Sequence, residues 1–176
     1  LCNLTHHGKY GDIPLTRKDG AMDEIRIQKA LGKHLFLQNV CIPNVLMYQK
    51  GHKEYEADLI YFGRKSNYLT EVEIKIDIYD FRADFKKENY HNHPNVRQLY
   101  YAIPTDLYLK HKDEIDERID NAGLILIDEL MDYNGIIYGK VNGFHKKAKP
   151  RKNAVPLTED DKFHYLKLGC MKWVNR

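Results

Sequence analysis

The feature that most constrains this chain is the alternation at 68–78, YLTEVEIKIDI, where Val72, Ile74, Ile76 and Ile78 are interleaved with Glu71, Glu73, Lys75 and Asp77. Successive side chains of a β-strand point to opposite faces, so this pattern puts the aliphatic residues on one face and the charges on the other. The preceding segment 57–62, ADLIYF, is also rich in strand formers, and Gly63-Arg64-Lys65-Ser66-Asn67 between the two is turn chemistry. An antiparallel hairpin is predicted. A loop over 64–67 closed by Gly63 and Tyr68 pairs Phe62 with Leu69, and the same ladder sets Asp58 opposite Glu73. Directly opposed residues have Cβ atoms about 4.5–5.5 Å apart. Lys75 lies on the same face, two residues beyond Glu73.

Two readings of that charged face follow. Charges alternating with aliphatics are most often the solvated side of a strand, which would make Glu71, Glu73 and Lys75 a surface ladder of ion pairs. Alternatively, two opposed carboxylates repel and are relieved by a cation. Oxygen ligands select hard ions, and Mg2+ or Mn2+ is the usual choice where phosphate is the substrate. Such an ion polarises a phosphodiester and acidifies water, while a nearby lysine orients that water or stabilises the charged transition state.

The rest of the chain supplies the frame. Ile27, Ala30, Leu31, His34 and Leu35 fall on one face of a helix that begins near Met22. A short extended piece at Val45–Tyr48 and a turn at Lys50–Lys53 precede the hairpin. A helix is expected from Asp80 to about Tyr90, with Phe81 and Phe85 four apart. Leu99–Ile103 reads as a buried strand stopped by Pro104, and Thr105 as the cap of a charged helix reaching Ile119. Residues 123–127, GLILI, and Ile136–Tyr138 are further strands, and Lys140–Lys152 reads as an exposed basic loop. Thr158 opens a last helix expected to bury Phe163, Leu166 and Cys170. The predicted fold is α/β, a mixed central β-sheet flanked by helices. The chain's 176 residues suit one domain over 21–176 behind a loose arm at 1–20.

Composition excludes several classes. No apolar run approaches the roughly 20 residues that cross a bilayer, so no membrane span is expected. Leu1–His7 lacks the apolar core of a signal peptide. Cys2, Cys41 and Cys170 are odd in number and widely spaced, which fits reduced thiols in a cytoplasmic protein better than a disulfide framework or a zinc ribbon. A net charge of +3 permits a nucleic-acid partner without requiring one.

The string from Ala57 to Asp128 resembles the MmcB-like (DNA-repair-associated) branch of the PD-(D/E)XK nuclease superfamily. The resemblance rests on Ala57-Asp58-Leu59, Val72-Glu73-Ile74-Lys75, and Asp80-Phe81-Arg82-Ala83-Asp84 with Lys86. Tyr90, Arg97-x-Leu99-Tyr100-x-Ala102 and Ala122-Gly123-Leu124-Ile125 continue it in order, and the closing Gly169–Trp173 segment is also similar. The resemblance implies a restriction-endonuclease-like PD-(D/E)XK core and a metal-dependent nuclease. Asp58 and Glu73 would be metal ligands with the backbone carbonyl of Ile74, and Lys75 the catalytic lysine. Ile76-Asp77 departs from the small residues that tend to follow the lysine in that family, and Asp77 either reshapes the site or faces solvent.

Other candidates are weighed beside these. Glu24 stands where many such nucleases place a further acid, but with Asp23 it also suits a helix N-terminus. Asp80, Arg82 and Asp84 read as a capping and ion-pair set, with phosphate contact by Arg82 the alternative. His91-Asn92-His93 spells HNH without the ββα spacing that motif requires, and reads as loop histidines; so does His6-His7. Arg82, Lys86, Lys87, Arg97, Lys147 and Lys149 are the candidate nucleic-acid contacts, and Tyr90 a candidate base-stacking ring. The function expected is hydrolysis of phosphodiester bonds in DNA with Mg2+ or Mn2+, in DNA repair. The alternatives are a non-catalytic nucleic-acid-binding module with the same fold, or a phage- or restriction-type defence nuclease that needs a protein partner or a second copy.

Overall fold

The apolar runs at 99–103 and 123–127 have no polar face because both faces of their strands are covered. In the computed structural model, which describes residues 22–48, 54–87 and 90–174 (the Trp173 side chain excepted), these runs lie in the middle of a six-stranded sheet. The strands are β1 (Asn39–Met47), β2 (Tyr55–Gly63), β3 (Leu69–Ile74), β4 (Val96–Pro104), β5 (Gly123–Met131) and β6 (Ile137–Lys146), and their spatial order is their chain order. Both pairs among β1, β2 and β3 are antiparallel, β3, β4 and β5 run parallel, and β6 returns antiparallel to β5. The sheet is therefore mixed and carries helices on both faces. The expected arm at 1–20 and turn at 50–53 lie outside the described residues.

Alternation along β4 and β5 sorts the core into two layers. Tyr100, Ala102, Ile125 and Ile127 face α1 (Glu24–Leu35), against Ile27, Leu31 and Leu35. Tyr101, Ile103, Leu124 and Leu126 face the other side, against Ile78 and Phe81 of α2 (Ile78–Asp84), Tyr108 of α3 (Thr105–Lys110) and Ile115 of α4 (Lys112–Arg118). Val72 and Ile74 of β3 belong to the α1 layer. Glu71, Glu73 and Lys75 therefore point into the α2 layer, where α2 and the chain around His91 cover them. The solvated-ladder reading fails here: the three are 0%, 4% and 3% exposed.

Other local expectations are corrected. β3 ends at Ile74, and Asp77 turns the chain into α2 by accepting hydrogen bonds from the Tyr79 and Asp80 amides at 2.8 Å each. The helix after Pro104 breaks at His111 into α3 and α4, and Thr105 caps nothing: its hydroxyl donates to Asp128 at 2.6 Å. The basic stretch is half strand, since β6 runs to Lys146. The last helix, α5 (Glu159–Val174), is rotated from the expected phase. Tyr165 and Leu168 pack against the sheet, while Phe163 is 70% exposed and Leu166 and Cys170 are also outside. The helix carries apolar residues on two sides, and the sheet takes the other one. Among the described residues no helix is long and apolar enough to cross a membrane.

Gly123 marks the tightest approach in the sheet. A Cβ there would stand 2.2 Å from a Tyr100 ring carbon and 2.7 Å from the Ala148 backbone nitrogen. The ring is packed in the α1 layer and the other neighbour is backbone, so neither gives way easily. Gly123→Ala is expected to lower unfolding free energy by about 1–3 kcal/mol, as overpacking usually does, measured by urea denaturation with the native far-UV spectrum retained.

Candidate metal centre

The hairpin register is the expected one. Leu59 faces Val72, Ile60 faces Glu71 and Tyr61 faces Thr70, and the paired ladder ends one step short of Asp58 and Glu73. One Asp58 carboxylate oxygen accepts from the Ile74 amide at 2.7 Å, which ties it to the end of β3. Burial first, and Glu24 and Asp80 in addition, raise the Asp58 carboxyl to about 6 against the Ile74 hydrogen bond and Lys75. Glu73 is raised further, to about 8, by burial and then by Asp58, with His91 and Lys75 acting the other way. Glu24 is not the helix cap; that is Asp23, which accepts from the Arg26 amide at 2.8 Å. Gln28 instead ties Glu24 to the hairpin, donating to its carboxylate, to Asn44 and to the Asp58 carbonyl, each at 3.0 Å.

Lys75 is held on the same side. Its ammonium lies 3.1 Å from Glu73, 3.2 Å from Asp84 and 3.9 Å from the half-exposed Asp80. Burial opposes its charge, but Glu73, Asp84 and Asp80 outweigh burial and raise it, so the side chain is a buried cation. Asp84 is the hub and no helix-start cap. It is ion-paired with Lys75 and accepts from Lys87 at 3.0 Å, from the Tyr101 hydroxyl at 2.9 Å and from His91 at 3.0 Å. Burial works against its charge too, yet the His91 hydrogen bond and Lys75 hold its carboxyl well below the usual range.

Sequence reasoning missed His91 and Glu71. His91 is buried, at a left-handed backbone position with φ 59°, and its two ring nitrogens face two acids: Nδ1 meets Glu71 at 2.5 Å and Nε2 meets Asp84. Burial disfavours its charge, but Asp84 and Glu71 outweigh burial and push it up to about 10. Tyr55 donates to the other Glu71 oxygen at 2.7 Å. Tyr90 leans on Tyr55 and His91 in the same wall, with Lys87 over its ring. No spacing rule leads from His91-Asn92-His93 to this place; only the fold around α2 does. Glu71, Glu73 and His91 offer ligand atoms within 4.8 Å of one another and could hold a metal ion.

The candidate phosphate contacts divide. Arg82 is clamped by Glu114 through two bonds of 2.7 Å, and Lys87 is engaged by Asp84. Lys86, Arg97, Lys147 and Lys149 are exposed. Arg97 sits four residues before Tyr101 on β4, and Tyr101 pairs with Glu73. At about 3.3 Å per residue that places it roughly 13 Å from the acids along the strand. The chain at 148–151 lies beside it, through bonds from Gln98 to the Ala148 carbonyl and from the Arg151 amide to the Arg97 carbonyl.

The sequence matches no family model, and no curated protein is significantly similar. Among solved structures, the fold is similar to that of the SPO1766 protein of unknown function from Silicibacter pomeroyi, with a TM-score of 0.56 over 92% of this chain and 90% of that one. At 15% identity the likeness is one of fold.

The buried acids make stability depend on pH. Glu73 has its carboxyl raised in the folded state, so its contribution is fully present below its ordinary value of 4.5 and is lost as pH rises through about 8. Glu73→Gln, which cannot ionise, is expected to flatten that part of the profile, read by thermal unfolding in chelator from pH 5 to 9.

Proposed function

We propose that this protein is a metal-dependent nuclease with a PD-(D/E)XK-type core, hydrolysing phosphodiester bonds in DNA. The observation that supports it best is the meeting of half-buried Asp58 with buried Glu73 and Lys75 at the end of β3, where Asp58 accepts from the Ile74 amide and Lys75 pairs with Glu73, in the order that the resemblance in sequence implies. Two acids whose carboxyls are both raised, Asp58 by burial with Glu24 and Asp80 and Glu73 by burial with Asp58, fit a divalent cation between them. The second Glu73 oxygen, Oε1, is buried with no hydrogen-bond partner among the described residues, which also fits a cation.

Asp58 and Glu73, with the Ile74 carbonyl, would hold Mg2+ or Mn2+, and Glu24 stands close enough through Gln28 to add charge. When bound, such an ion supplies positive charge beside the scissile phosphate and a lower pKa for the attacking water. Lys75 provides what the chain itself adds: a fixed ammonium that orients water and neutralises charge growing on the phosphate oxygens. Asp84 keeps it aimed. Exposed Lys86, Arg97, Lys147 and Lys149 would take backbone phosphates on either side of the cut.

Asp58→Asn, Glu73→Ala and Lys75→Ala are each expected to reduce cleavage of labelled DNA in Mg2+ or Mn2+ by about 10²–10⁴-fold. DNA binding should survive in Lys75→Ala. Single-stranded, duplex and branched DNA are all assayed. A folded parent protein that cuts none of them, and binds no Mg2+ or Mn2+ at millimolar concentration, is a binding module instead.

The basic surface is tested separately. DNA affinity should fall linearly with the logarithm of salt, and Lys147→Glu with Lys149→Glu should weaken binding to unrelated sequences alike. On duplex DNA the slope should shrink by about 0.9 for each phosphate that the variant no longer neutralises. Unchanged affinity and slope would return that loop to ordinary solvated surface.

A further inference from the structure

The three ligand atoms around His91 share a feature that ordinary buried ion pairs do not require. Each belongs to a side chain whose other polar atom is already held. Glu71 has one oxygen, Oε2, fixed by the Tyr55 hydroxyl at 2.7 Å, and turns Oε1 inward. Glu73 has Oε2 fixed by Lys75 at 3.1 Å and turns in Oε1, the buried atom that accepts no hydrogen bond. His91 has Nε2 directed at Asp84 at 3.0 Å and turns in Nδ1. A metal-binding histidine commonly donates its outer ring N–H to a carboxylate, which fixes the tautomer and orientation of the ring. The Asp84–His91 pair has that arrangement.

Distances agree with a small ion. Around a tetrahedral centre with bonds of about 2.0–2.1 Å, neighbouring ligand atoms stand roughly 3.3 Å apart. His91 Nδ1 lies 3.6 Å from Glu73 Oε1, and 2.5 Å from Glu71 Oε1, where a proton now occupies the space between them. Metal entry displaces that proton to solvent and needs the second pair to open by less than about 1 Å. Charge is adequate as well. Glu71, Glu73, Asp84 and Asp80 outnumber the cations Lys75 and Lys87 that face them, once His91 is neutral.

We propose that Glu71 Oε1, Glu73 Oε1 and His91 Nδ1 form an inner metal site for a borderline divalent transition ion of the Zn2+ class, with Tyr55, Lys75 and Asp84 as its outer supports. One imidazole with two carboxylates selects Zn2+ or its neighbours over Mg2+ and Ca2+, which prefer all-oxygen shells. This site shares Glu73 with the Asp58 pair but does not depend on Asp58, and it stands whether or not the protein cuts DNA.

The test uses Zn2+ alone as the probe, read by imidazole 15N NMR on the whole chain, which has nine histidines. In the wild type one ring should report coordination through Nδ1. That signal should vanish in His91→Asn and persist in Asp58→Asn. Glu71→Gln, close in shape and suited to a case where His91→Asn fails to fold, should abolish it or weaken Zn2+ binding at least tenfold. Tyr55→Phe should weaken binding by about 10-fold, the usual effect of losing an outer support. A folded wild type in which no imidazole coordinates Zn2+ overturns the proposal. So does a coordinated ring that survives His91→Asn, or that is indifferent to Glu71→Gln. Loss of DNA cleavage in Asp58→Asn with the Zn2+ signal intact separates this site from the nuclease reading.

Discussion

Buried charge on β3 is the constraint around which the rest is arranged. Glu71, Glu73 and Lys75 occupy a face that the sheet places against α2, where water cannot stabilise them. Burying an ion without compensation is far more unfavourable than any single contact in the core is favourable. The surrounding structure is accordingly built to compensate. Asp77 starts α2 at the right residue for Asp84 to reach Lys75, and a left-handed turn at His91 sets an imidazole between two acids. Tyrosine hydroxyls at 55 and 101 complete the shell. Removing any one of these leaves a charge without its partner, so the cluster behaves as a unit.

The same arrangement explains which parts of the fold were legible in the sequence. Hairpin register was readable because period-2 alternation and a turn of defined length fix it without reference to the rest of the molecule. Strand β4 was readable as an apolar run stopped by Pro104, and β5 as one opened by Gly123. What alternation cannot tell is which side of a strand will be covered, and the charged side of β3 looked like every solvated strand face. Its burial is decided by α2 and by the chain near residue 91, whose own sequence signals are weak. The phase of α5 failed for a related reason: Phe163 and Leu166 make as good a stripe as Tyr165 and Leu168, and only the position of β1 selects between them.

Of the candidate site, Asp58, Glu73 and Lys75 came from spacing and resemblance; the structure ties Asp58 to the Ile74 amide and Lys75 to Glu73. Glu71 was visible as part of the ladder but without a role, and His91 was visible only as one histidine of three neighbouring loop residues. Its meaning comes from partners 20 residues back and 7 residues back along the chain, separations that no local pattern encodes. Arg82 shows the opposite case: a residue of plausible phosphate-binding type whose guanidinium is already taken by Glu114.

The order of the strands in space is their order in the chain. Each new strand can therefore dock on the one just made, and the longest connections on the way are the helical crossovers over 75–95 and 105–122. Folding rates rise as contacting residues lie closer in sequence. All the cluster's members from Tyr55 to Tyr101 fall within one such run of strand, strand, helix and strand. The charged interior is thus assembled by a contiguous stretch of polypeptide. Its acids and bases all come from β2, β3, α2 and the chain from there through β4, with no member from the last two strands or α5.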